Sequence, residues 1–202
     1  RALAWLEAHP VTGSSVADRA LRAMALWEQA AMVADDRAPA ARGAMAELLA
    51  LRIGPAWPAR SEPMPGGAAT AEIDMQATVF AVMACHSAIV GGNLDPELPR
   101  ARAAARDWAL ATAPEASDAI YRAVVAIFAG APTDDAACIA LFRRASAQPV
   151  TDPTERWLAN IVGFQADGAA WAQTQQPAAL IADIAAAGQQ RRIDDLAHAA
   201  MA

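Results

Sequence analysis

Apolar residues recur along this chain at intervals of three and four, and runs in which β-branched or aromatic residues alternate with polar ones are almost absent. That period predicts helices and no sheet. Clusters of Pro and Gly divide the pattern into segments. After a short piece ending at His9 and Pro10, Ser15 is placed to cap a helix reaching about Asp35, with Asp18 at its third position and Ala17, Leu21, Met24, Trp27 and Met32 as its apolar stripe. A second helix is expected between Pro39 and the stop at Gly54 and Pro55, with Met45, Leu48, Leu49 and Ile53 as its face.

Residues 54–70 hold four prolines and three glycines and continue neither neighbouring helix, so they read as a long connector or flap and as the first target of limited proteolysis. Trp57 lies in this segment, off any helical stripe. It reads either as a plug folded back on the bundle or as an anchor for a partner. Thr70 is then expected to cap the most apolar helix, 70–91, with Glu72 and Asp74 in its first turn. Ile73, Val79, Phe80, Val82, Met83, Ile89 and Val90 leave it no polar face, which predicts a central, surrounded helix with Phe80 and Met83 almost fully buried.

Further helices are expected from Asp95 and Pro96, with Leu98, Ala101, Ala105, Trp108 and Ala109 inside and Arg100, Arg102, Arg106 and Asp107 outside. Another opens at Pro114 and ends at Gly130, carrying Ile120, Tyr121, Val124, Ile127 and Phe128. One capped by Thr133 carries Cys138, Leu141, Phe142 and Ala145. One begins at Thr151 or Asp152 and carries Trp157, Ile161, Phe164 and Trp171, and two weaker segments, 178–187 and 191–201, close the chain. The expected fold is all-α: a single domain over 1–202, built as an antiparallel helical bundle or as stacked αα-hairpins of about nine to eleven helices. A regular solenoid is the less favoured form, because no residue pattern repeats at a fixed period.

Composition narrows the function classes. More than a quarter of the 202 residues are Ala, which favours helix and close helix approach. All basic residues are Arg, a bias that points to a bacterial, high-GC source. The net charge of −6 argues against nucleic acid, whose binding depends on neutralising phosphates. The longest apolar run, 77–90, is too short for a membrane span of about 20 residues. Cys85 and Cys138 sit in apolar stretches with no ligand spacing, as buried free thiols do, and suit a cytoplasmic setting.

Among candidate chemical groups, His86 stands out as a titratable side chain inside the apolar helix. Glu72, Gln76, Val79, Met83, His86 and Val90 share one helical stripe, so Gln76, Met83 and His86 are candidate ligand-binding residues, with Trp57 as a further one and His86 as the candidate catalytic base. His9 and His198 lie near opposite ends, and no HExxH, ExxH or Cys/His cluster is present, so neither a metal nor a cofactor is expected. The pairs Asp35/Asp36, Asp134/Asp135 and Asp194/Asp195 lack a third carboxylate one turn away and read as helix-end charges. Neither a nucleophile elbow around Ser87 or Ser117 nor a phosphate loop at Pro65, Gly66 and Gly67 can be built. The leading expectation is a helical interaction or accessory protein for a protein partner. The alternative is a metal-independent enzyme or binder of a small apolar molecule beside helix 70–91 using His86, and a ligand-sensing regulatory domain stands third.

Overall fold

The computed structural model describes residues 15–32, 38–61, 72–111, 118–150 and 152–174, and all regular structure among them is helical. Seven helices follow one another: α1 (Val16–Met32), α2 (Ala38–Ala50), α3 (Met75–Val90), α4 (Glu97–Ala111), α5 (Ala119–Phe128), α6 (Ala136–Ser146) and α7 (Pro153–Thr174). They correspond in order to the seven middle segments expected from the sequence. The count of nine to eleven is therefore not reached among the described residues, and the expected piece before Pro10, the start at Pro114 and the segments 178–187 and 191–201 lie outside them.

Start and stop chemistry explains the boundaries. Ser15 caps α1, its Oγ accepting from Asp18 N at 3.2 Å. Helix α3 begins later than expected: Asp74 is its N-cap, with Oδ1 accepting from Ala77 N at 2.6 Å, so Glu72 precedes the helix and Thr70 lies outside the described residues. Asp135, and not Thr133, caps α6 by accepting from Ala137 N at 2.7 Å. Both corrections favour a carboxylate at the positive end of the helix dipole over a hydroxyl. At the other end, α3 and α5 close with the same motif. Gly92 and Gly130 take φ of 86° and 75°, where a side chain is disfavoured. Asn93 N and Ala131 N then reach back to Ala88 O and Ala126 O at 2.9 Å each, pairing carbonyls that the helix leaves open.

A continuous cluster of buried apolar side chains runs from Val16 to Val162. Helix α3 lies at its centre, packed by α1, α2, α4 and α5, and α5 is likewise packed by α3, α4, α6 and α7. Phe80 is 1% and Met83 6% exposed, as a surrounded helix requires. Phe80 stacks on Trp157 of α7 with ring centroids 6.1 Å apart. Much of the remaining core is Ala, which lets helix backbones approach closely. Several faces are turned from their expected setting. In α1 the buried row is Val16, Ala20, Ala23 and Trp27 with Met24 and Leu26, while Ala17 and Leu21 are only half-buried. Ile53 leaves α2 for the following turn, and Phe164 is exposed on α7.

The first half of the Pro/Gly-rich connector is tied down. Ile53 and Ala56 exchange backbone hydrogen bonds of 2.7 and 3.2 Å around Gly54 and Pro55, and Val16 N donates to Ala59 O at 3.0 Å. These bonds tie residues 53–59 to the start of α1, so this part of the segment is a hydrogen-bonded connector. Residues 62–70 lie outside the described part.

Candidate functional site

Trp57 is 0% exposed. Its Nε1 donates to Leu48 O at 2.8 Å near the end of α2, and its backbone N–H donates to Thr78 Oγ1 at 3.0 Å in α3. Its carbonyl accepts from Asp74 N at 2.9 Å and from Thr78 Oγ1 at 3.3 Å. Every polar group of Trp57 is therefore engaged in joining α2 to the start of α3, so in this conformation it offers no surface to an outside partner.

Gln76, Met83 and His86 do not converge. Gln76 and His86 are half-buried near opposite ends of α3, ten residues or about 15 Å apart along the axis. Met83 between them is part of the core.

His86 instead belongs to a second group of residues, where α3, α4 and α5 meet. Its ring stands edge-on to Phe128 at the end of α5, with centroids 5.5 Å apart and planes at 79°. Its Nδ1 is buried and has no hydrogen-bond partner among the described residues. Arg102 reaches from α4 to the same Phe128, donating Nε and Nη2 to its carbonyl at 3.0 and 2.7 Å. Arg102 is thus half-buried and turned inward, a correction to its expected outward setting, because the open carbonyls at the end of α5 attract a cation. Burial holds His86 below its usual range, and the Arg102 charge lowers it further, so the imidazole is neutral at pH 7. Neighbouring Cys85 is fully buried, and desolvation pushes its thiol up to about 12 against the opposing pull of Arg102 and Arg52. A thiol held protonated in this way is no nucleophile.

A matching contact that the sequence reading missed lies at the other end of the α4–α5 pair. Arg122 in the first turn of α5 is 7% exposed. It donates Nε to Asp118 Oδ2 at 2.8 Å and Nη1 to Trp108 O at 3.3 Å, and its guanidinium lies over the Trp108 ring, 4.3 Å from the centroid. Each helix of this pair therefore sends an arginine from its early turns to a carbonyl near the end of the other. The only sequence signal was an Arg inside an apolar run, YRAVV, and nothing in the pattern gave its partner.

A third polar group gathers near the starts of α5 and α7. The Tyr121 hydroxyl donates to Glu155 Oε1 at 3.4 Å. Burial, then the charges of Glu155 and Asp152, push this phenol up to about 12. Among the described residues no group of three His, Cys, Asp or Glu side chains is arranged to hold a metal ion, and no helix is long and apolar enough to cross a membrane.

Comparison with known protein families, with curated proteins and with solved structures finds no match for this chain.

Proposed function

We propose that this chain is a helical interaction or accessory protein, a stack of αα-hairpins that holds a protein partner. The observation that carries the reading is the order of helix packing. Helices α1, α3, α5 and α7 pack each on the next, and α2, α4 and α6 each pack against the odd-numbered helices that flank them in sequence. Stacked helical hairpins have this nearest-neighbour arrangement, and proteins built from them present extended surfaces to other chains. The use of the polar groups supports the same reading. Thr78, Trp57, Arg102 and Arg122 are engaged in joining helices, and the Cys85 thiol is kept inert. Catalysis needs the opposite, groups poised with access to a substrate.

The surface best suited to a partner is the α3–α4 turn, where Val90 is 73% and Leu94 92% exposed. Two large apolar side chains exposed on one turn offer a surface that a partner can cover. The test is affinity capture of the tagged chain from its own cells, with bound proteins quantified for the parent, for Val90→Asp/Leu94→Asp and for His86→Ala. Because both turn residues are exposed, their substitution leaves the core intact. The expected result is a reproducibly captured protein that the double variant loses and His86→Ala retains. Capture that is indifferent to the double variant overturns the reading.

One observation favours a small-molecule reading instead: the buried Nδ1 of His86 without a partner. On that reading His86→Ala abolishes a ligand-induced rise in melting temperature and leaves the unliganded value within a few degrees.

A further inference from the structure

Three side chains, His86, Arg102 and Phe128, meet at the α3–α4–α5 junction. His86 and Arg102 both rest on Phe128, one against its ring and the other on its carbonyl. The neutral imidazole fits this place. Its buried Nδ1 has no hydrogen-bond partner among the described residues, and a nitrogen without an acceptor carries a lone pair more readily than a proton. The protonated ring does not fit, since both of its nitrogens are donors.

We infer that this junction is an acid-operated latch: on proton uptake the His86 imidazolium carries a buried Nδ1–H with no acceptor beside the Arg102 guanidinium, and the repulsion drives Arg102 off the Phe128 carbonyl and frees the closing turn of α5.

The charged and titratable surroundings point one way. From α4 the facing charge is Arg102, and it is the charge felt at His86. On α3 itself the neighbours are Cys85, kept protonated, and Ser87, whose hydroxyl lies 3.4 Å from Glu28 Oε1 on α1. Beyond the end of α2, Arg52 adds a second positive charge felt at Cys85. Helix α5 contributes the Phe128 ring and its carbonyl. Glu28, the one acidic group in this set, is exposed and already engaged with Ser87. The element released is specific. Ala129 N, Gly130 N and Ala131 N bond Val125 O, Ile127 O and Ala126 O at 2.8, 3.0 and 2.9 Å, and Arg102 Nη2 lies 3.3 Å from where a Cβ on Gly130 would stand.

The sign follows from linkage. A histidine held below its unfolded value contributes stability that is complete above the unfolded pKa and is lost as pH falls through the window beneath it. The experiment is amide hydrogen exchange on the intact chain at pH 7.5 and pH 5, corrected for intrinsic rates. Protection at Ala129, Gly130 and Ala131 is expected to fall severalfold at the lower pH relative to amides inside α1. His86→Phe keeps the ring contact and removes the titration, so the selective loss disappears. His86→Gln serves as a second non-titrating variant. Imidazole nitrogen NMR of the unaltered chain needs no variant and is expected to show the Nε2–H tautomer at pH 7.5. A selective loss that persists in the non-titrating variants, its absence from the parent, or a proton on Nδ1 at pH 7.5 overturns the latch.

Discussion

Tyr121 is the single tyrosine of the chain, so its ionisation can be followed without ambiguity. Its phenol is raised from 10.0 to about 12, first by burial and then by Glu155 and Asp152. An acid held neutral by the fold stabilises fully below its unfolded pKa, and that contribution is lost as pH rises through the folded value. Ultraviolet titration should therefore show phenolate forming near pH 12 in the native chain and near 10 in urea, with unfolding free energy declining across that interval. Tyr121→Phe should remove the decline, and a native midpoint at 10 would mean that the hydroxyl is neither buried nor facing Glu155. Little of this was legible beforehand. Tyr121 reads as one more apolar position on α5, and its acidic neighbours lie more than thirty residues away. His86 was legible as an unusual residue, and its partners were not. Arg102 falls outside the apolar face of α4 on any helical net, and only the nearby end of α5 turns it inward. A long side chain can lay its stem along the helix while its head finds an acceptor.

The paired ends of α3 and α5 offer an internal comparison between elements. Gly92 and Gly130 close their helices with the same hydrogen bonds and similar φ. Alanine at either position pays the left-handed penalty of roughly 1–2 kcal/mol. A Cβ on Gly92 meets nothing within 4 Å, whereas one on Gly130 meets Arg102 Nη2 at 3.3 Å. Gly130→Ala should thus lower stability more than Gly92→Ala in urea unfolding, and adding Arg102→Met should erase the difference. Equal effects in the parent background would show that Arg102 yields freely. The helices themselves were largely readable, because Pro, Gly and cap residues punctuate the chain in register with the apolar period. Their ends were less so. Thr70 and Thr133 have the right residue type for caps, but Asp74 and Asp135 a few residues on have the stronger acceptor, and Asp74 is also held by the Trp57 carbonyl. That Trp57 stands off any stripe was visible. That it fills the seam between α2 and α3 was not, since a seam belongs to two elements at once.

At the scale of the molecule, the apolar density of α3 was enough to place it at the centre, because a helix without a polar face has nowhere else to go. The equal centrality of α5 was obscured by Arg122, a charged residue inside its apolar run. What sets α5 against α4 is the pair of arginines crossing between them, Arg102 to Phe128 O and Arg122 to Trp108 O. Two fasteners at opposite ends of an antiparallel pair fix its sliding and its rotation from within the helices, whatever joins them. The arginine contacts thus fix the alignment without calling on the peptide that joins α4 to α5, which predicts that the chain can be cut there. Two separately translated fragments, 1–114 and 115–202, should reassemble when co-expressed and recover the far-ultraviolet circular dichroism of the whole chain. With Arg102→Met and Arg122→Met together the fragments should remain apart, while the uncut chain carrying the same changes still folds. If the fragments assemble equally well without the arginines, apolar packing alone sets the alignment. If they assemble only with them, the peptide between the two helices serves to keep the halves at high local concentration, and it can be lengthened or cut without changing how they fit.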